Sequence, residues 1–230
     1  MTIKATIFDL DGTLIDFNLD YKSVRGEVRN YLLHVGLPSS LITVKDTIFE
    51  MIKKTEIYSR NSLNSSNSIT EIRNEVLAIA DKYELEAARE TDLLPGVIET
   101  LKNLTRMNIK IGLFTLSGDK SVNYVLKRFK LVDYFSVTVP RNQVNYVKPN
   151  PEHLETALKV LGVTPEETIV IGDGIADMET AKELNATGIG LTTGTATSKQ
   201  LTHHGAEYII NSIIDLLPLI ETINKKMQIS

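Results

Sequence analysis

Short apolar runs alternate with longer stretches of helical periodicity along most of the chain. Residues 3–9 ("IKATIFD") are rich in isoleucine and phenylalanine and run into the turn signal "DGT", the pattern of a buried strand. Residues 109–115 ("IKIGLFT") and 168–173 ("TIVIGD") repeat that pattern, and 187–191 ("TGIGL") and 206–210 ("AEYII") read as two shorter strands. Between them, apolar positions recur at helical spacing over 95–107, 119–130, 151–161, 175–185 and 211–225. Pro95 stands at the start of the first of these helices, and Gly162 follows the third as a cap. Strands alternating with helices of this length predict an α/β fold. Its sheet is parallel and Rossmann-like, with helices on both faces.

The first strand breaks the alternation. Residues 17–91 hold three helical stretches, near 19–36, 39–58 and 69–90, and no strand. A Ser/Asn-rich segment, "SRNSLNSSNS", joins the last two as a surface loop. The pattern therefore predicts an all-helical domain, 17–91, inserted into an α/β core formed by 1–16 and 92–230. No internal repeat is present.

Composition narrows the picture only modestly. Hydrophobic residues make up 42% and charged residues 23% of the 230, so the chain can bury a core. The net charge of −4 argues against nucleic acid as a partner. The absence of cysteine excludes disulfides, thiolate metal sites and cysteine nucleophiles, and fits a reducing compartment. The start of the sequence lacks the features of a signal peptide, and no apolar run approaches the roughly 18 residues of a membrane span. A cytoplasmic protein with no membrane partner is the expectation. Oligomeric state leaves no mark on the sequence.

Ligands of open α/β sheets sit beyond the carboxyl ends of the strands. At those ends stand Asp9 and Asp11, then Thr115, then Asp173 with Asp177 four residues on; Lys148 precedes the helix near Pro151. Four carboxylates brought together cannot all stay ionised without compensation. A hard divalent cation with oxygen ligands, aided by Lys148, would neutralise most of the charge, and Mg2+ suits such a site. In extended chain, residues i and i+2 face the same way, so one of Asp9 and Asp11 can attack while the other carries protons. Plainer roles also exist. "DG" is a common turn pair, Thr115 fits any strand, Asp173 fits a helix N-cap, and Lys148 fits an ordinary loop. An EF-hand calcium loop is excluded, because its glycine belongs at position six.

Taken in order, "DLDGT", Thr115 after the second strand, "KPNPE" and "IGDGIAD" resemble the four signature motifs of the haloacid dehalogenase superfamily. "LLPGV" resembles its phosphatase branch, and the helical insertion is placed like that branch's C1 cap, as in phosphoglycolate-phosphatase-like members. The resemblance implies that Asp9 is a nucleophile carrying the phosphoryl group as an aspartyl-phosphate. It implies that Asp11 protonates the leaving oxygen and then activates water. Thr115 and Lys148 would bind the phosphoryl group, and Mg2+ would be held by Asp9, Asp173 and the backbone carbonyl of Asp11, with Asp177 ligating it or ordering its waters. Aspartate at position 11 points to phosphate esters rather than halides, since a halide leaves without a proton. Leu116 departs from the pattern, because many relatives carry a polar or small residue there; that bears on substrate identity.

Three functions follow from that resemblance. The first is a magnesium-dependent phosphatase of a small phosphorylated metabolite such as phosphoglycolate, a sugar phosphate or a nucleotide. The second is a phosphomutase of the beta-phosphoglucomutase type, and the third a non-catalytic binding module. Tyr21, Arg25 and Arg29 recur every four residues and share a helix face, either solvated or reaching over the site toward an anionic substrate. Adjacent His203 and His204 suit no ligand pair, and with His34 and His153 they are expected at the surface.

Overall fold

The computed structural model describes residues 2–16, 19–61 and 68–229. Residue 17, where the insertion was expected to begin, and positions 62–67 of the Ser/Asn-rich segment lie outside the described residues. Two compact units result, one formed by Met1–Phe17 with Thr91–Ser230 and the other by Asn18–Glu90.

The larger unit is built on one six-stranded sheet of β1 (Ala5–Phe8), β2 (Lys110–Thr115), β3 (Val137–Pro140), β4 (Thr168–Gly172), β5 (Thr187–Leu191) and β6 (Tyr208–Ile210). The strand order is β3-β2-β1-β4-β5-β6, and every pairing is parallel. The chain thus grows outward from β1 in one direction through β2 and β3, then returns to lay β4 on its other side. That reversal opens a crevice at the carboxyl ends of β1 and β4, where such sheets bind ligands. In register, Phe8 lies between Leu113 and Ile171, so the residues just past β1 and β4 emerge side by side.

Alternation along each strand sends side chains to opposite faces. Ala5, Ile7, Phe114, Val139 and Val170 pack on Leu154, Ala157, Leu158 and Leu161 of α6 (Glu152–Leu161) and on Ala181 of α7 (Ile175–Leu184). Elsewhere α4 (Val97–Arg106) packs on β2 and against α9 (Leu216–Ile229). Leu101, Leu104, Leu216 and Ile220 are fully buried there. Helix α5 (Asp119–Arg128) follows β2, and the short α8 (Ser198–His203) lies between β5 and β6. Gly162 ends α6 in a left-handed conformation, φ 63°, as expected of a glycine cap.

The smaller unit holds α1 (Tyr21–His34), α2 (Ile48–Asn61) and α3 (Ile69–Glu90) around a core of its own. Val24, Val28 and Leu32 meet Met51, Ile52, Ile72 and Val76 in that core. Helix α2 starts about nine residues later than its periodicity predicts. The reason is a capping box in which the Thr47 hydroxyl accepts from the Glu50 amide and the Glu50 carboxylate accepts from the Thr47 amide, at 3.1 and 2.6 Å. Two elements had no clear signal in the sequence. Strand β3 is four residues long at the sheet edge and ends in Pro140, and α8 is too short to show a period.

Candidate active site

The polar residues expected at the strand ends do meet. Asp9 follows β1, Thr115 ends β2, Asp173 follows β4, and Asp177 lies in the first turn of α7. Oxygens of Asp9, Asp173 and Asp177 all lie within 4.8 Å of one another, and all three residues are buried. Lys148 reaches them from the segment ahead of α6. Its ammonium lies 2.6 Å from Asp9 Oδ1 and 2.6 Å from Asp177 Oδ1, and donates to the Phe114 carbonyl at 3.3 Å. Lys148 is therefore not an ordinary loop lysine; it is only 5% exposed.

The electrostatics follow from burial and crowding. Loss of solvent raises Asp173 to about 8, reinforced by the neighbouring charges of Asp9 and Asp177. Burial likewise raises Asp177 to about 6, with Lys148 opposing the shift and Asp9 adding to it. Burial works against the charge on Lys148, but Asp177 and Asp9 outweigh it and push its pKa up. One ammonium thus faces three carboxylates, a shortfall of positive charge that favours the protonated forms of Asp173 and Asp177.

That shortfall is the test of metal fit. The donors are all carboxylate oxygens, converging within reach of one ion, and they are short of positive charge. The chain also leaves room by using glycine where it passes closest. A Cβ on Gly12, whose φ is +76°, would come within 2.7 Å of Asp173 Cγ, and one on Gly194 would overlap the same carboxylate. The residues present fit a hard divalent cation. Thr13 Oγ1 donates to Asp173 Oδ1 at 3.1 Å, orienting that carboxylate. Asp173 is not the cap of α7; Gly174 occupies that position, and its amide donates to Asp177 Oδ2 at 3.0 Å.

Asp11 and Thr115 belong to a second cluster beside the first. The Ser117 hydroxyl donates to Asp11 Oδ2 at 2.5 Å, and the Ser117 amide donates to Thr115 Oγ1 at 3.1 Å. Arg141, a residue only 3% exposed, donates from its guanidinium to the Leu116 carbonyl at 2.8 Å, and its amide donates to the Ser117 carbonyl at 3.2 Å. Sequence reasoning missed both Ser117 and Arg141. Ser117 stands two residues past Thr115, a spacing that would have drawn attention to it, whereas Arg141 follows β3, the strand left without a signal.

The histidines and the α1 face are placed as follows. His153 is not at the surface: it is fully buried, accepts from the Lys148 amide at Nδ1 (3.1 Å) and lies 2.8 Å from the Val139 carbonyl at Nε2. His203 and His34 are exposed, and His204 is half-buried with Nδ1 2.7 Å from Glu179 Oε1. On α1, the Arg25 guanidinium lies over the Tyr21 ring, 5.3 Å from its centroid, and Arg29 donates to the Ile42 carbonyl at 3.3 Å inside the helical unit.

With this geometry, residues 6–191 match the haloacid dehalogenase-like hydrolase family. The chain belongs to that family. Among haloacid dehalogenase-like hydrolases it is similar to the pyrophosphatase PpaX of Bacillus mycoides, with 27% identity over 97% of this chain and 100% of that protein. It is also similar to the phosphoglycolate phosphatase of Salmonella typhi, with 28% identity over 94% and 92%. A solved hydrolase from Pseudomonas syringae superposes with a TM-score of 0.71 and 28% identity, covering 96% of this chain and 99% of that one. The helical insertion between β1 and β2 sits where this family carries a C1 cap. No helix among the described residues is long and apolar enough to cross a membrane.

Proposed function

We infer that this haloacid dehalogenase-like hydrolase is a magnesium-dependent phosphatase of small phosphomonoesters, working through an aspartyl-phosphate on Asp9. One observation carries the reading. Asp9 stands at the β1–β4 crevice, ion-paired to a buried lysine at 2.6 Å, with Asp11 two residues on and the carboxylates of Asp173 and Asp177 at its side.

In this reading an Asp9 oxygen attacks phosphorus as the ester P–O bond breaks. Asp11 gives its proton to the departing alkoxide, so the product leaves as an alcohol. Asp11, now a carboxylate, takes a proton from the water that attacks the aspartyl-phosphate, and Asp9 is released with phosphate. The Thr115 hydroxyl and the Lys148 ammonium hold the phosphoryl oxygens through transfer, where positioning and charge supply most of the catalysis. Asp9, Asp173, Asp177 and the Asp11 carbonyl would hold Mg2+, which supplies positive charge for a dianionic substrate entering an acidic crevice. The helical unit is read as the family's cap. The relatives' names, a pyrophosphatase and a phosphoglycolate phosphatase, support a small, highly anionic substrate.

The test is phosphate release from para-nitrophenyl phosphate, pyrophosphate and a panel of metabolite esters. Release is expected with magnesium, lost with a chelator, and reduced about 10³-fold or more by Asp9→Asn. Isomerisation of a sugar phosphate without phosphate release would sink the phosphatase reading in favour of a mutase.

A further inference from the structure

The Ser117–Asp11 contact takes no direct part in the phosphoryl-transfer steps, yet several interactions hold it in place. Ser117 is 8% exposed, and its hydroxyl reaches across from the loop after β2 to Asp11 Oδ2 at 2.5 Å. That loop is clamped from below. Arg141, itself buried, donates from its guanidinium to the Leu116 carbonyl and from its backbone to the Ser117 carbonyl, at 2.8 and 3.2 Å. Asn142 next to it accepts from the Asp119 amide at the start of α5, at 3.1 Å. The segment after β3 therefore fixes the height and direction of the loop that carries Ser117.

We propose that Ser117, held by Arg141, is a positioning residue that sets the rotamer of Asp11 so that its second oxygen, Oδ1, carries the proton exchanged with the leaving group and with water. The proposal rests on the phosphatase reading of Asp11. A carboxylate two bonds from the backbone sweeps a wide arc about χ1 and χ2, and general acid–base transfer requires hydrogen-bond reach of the reacting oxygen. A charge-assisted hydrogen bond to Oδ2 removes most of that freedom. Proton balance is simple: Oδ1–H goes to the alkoxide as the ester P–O bond breaks, and Oδ1 regains a proton from the attacking water. The Ser117 proton stays on Ser117 throughout.

The consequence is a dependence on leaving group. Nitrophenolate is a stable anion that departs without a proton, whereas an alkoxide needs one. Because kcat/KM reports only the steps up to phosphoryl transfer, it isolates the step in which Asp11 acts as an acid. Ser117→Ala is expected to lower kcat/KM about 10- to 100-fold for an alkyl ester such as glycerol phosphate. For para-nitrophenyl phosphate the expected loss is under about threefold, with KM for either ester little changed. Ser117→Thr, which keeps the hydroxyl, is expected to recover most of the alkyl-ester activity, and the melting temperature identifies any variant that has failed to fold. Equal losses on the two esters, or a loss confined to KM, would overturn the proposal and make Ser117 a phosphate contact or a packing residue. If the wild-type chain turns over no ester, or Asp9→Asn keeps its activity, the phosphatase reading falls and this inference with it.

Discussion

His153 is a buried base with both nitrogens committed. Nδ1 accepts from the Lys148 amide, so Nε2 carries the proton and donates to the Val139 carbonyl. A second proton would have to displace the Lys148 N–H. Burial and then the Lys148 charge lower its pKa from 6.5 to about 4. The unfolded chain therefore binds a proton on this residue over a pH range where the folded chain does not. Its contribution to stability is complete above pH 6.5 and is lost as pH falls toward 4, on the order of 3 kcal/mol in all. Urea unfolding at pH 7 and pH 4 checks it. Wild type should lose about that much more stability than His153→Gln, and parallel losses would show that His153 does not titrate this way. Nothing in the sequence marked this histidine as internal. A lone imidazole two residues past a proline reads as a surface residue, and only the packing of α6 against Phe114 and Val139 reveals otherwise.

At the scale of elements, the turn after β1 shows how closely backbone and site are matched. Gly12 has φ +76°, and its Cα passes so near Asp173 that a methyl group has no room. Gly12→Ala thus adds backbone strain and pushes the carboxylate aside. Magnesium affinity measured by calorimetry is expected to fall about tenfold or more, with a stability loss on the order of 1–3 kcal/mol. Unchanged affinity would mean that Asp173 is not held where the glycine allows. The elements themselves were mostly legible. Runs of Ile, Val and Phe marked β1, β2 and β4, shorter apolar stretches marked β5 and β6, and the residues ending the first three were recognisable as candidate chemistry. The residues that orient this chemistry were not. Ser117 and Arg141 act through contacts between loops far apart in the chain, and Arg141 follows an edge strand too short to announce itself. The late start of α2 was legible in principle from Thr47 and Glu50, since a capping box is a local signal.

For the whole molecule, the acidic crevice links proton and metal binding. Asp173 and Asp177 hold protons up to about 8 and about 6, well above an unfolded carboxylate near 3.8. Raised pKa values mean that the metal-free fold is favoured at low pH, and that this contribution is lost as pH rises through those values. A divalent cation must displace the same protons, so its affinity is weakest in acid and grows until about pH 8. The rise in melting temperature produced by magnesium should follow that course, small near pH 5 and largest at pH 8 and above. A magnesium effect independent of pH would place the ion elsewhere. The topology that makes this crevice, a reversal of strand order between β1 and β4, was foreseeable only as a class. Alternating strands and helices predict a parallel sheet, but which strands lie together at its centre depends on long-range pairing.

That same strand order bears on how the protein emerges from the ribosome. β1 is made first, yet both its neighbours come much later, β2 after the helical unit and β4 after most of the chain. The helical unit has its own core and can collapse while the rest is still being translated. Asp9 must wait, on the order of ten seconds at ordinary synthesis rates, before Asp173 and Asp177 exist to meet it. Until β4 docks beside β1, the growing chain has an exposed apolar strand and no place for a metal. Metal can therefore act on the three-acid site only from the step at which β4 closes beside β1, with β5 and β6 still to be added at the sheet edge.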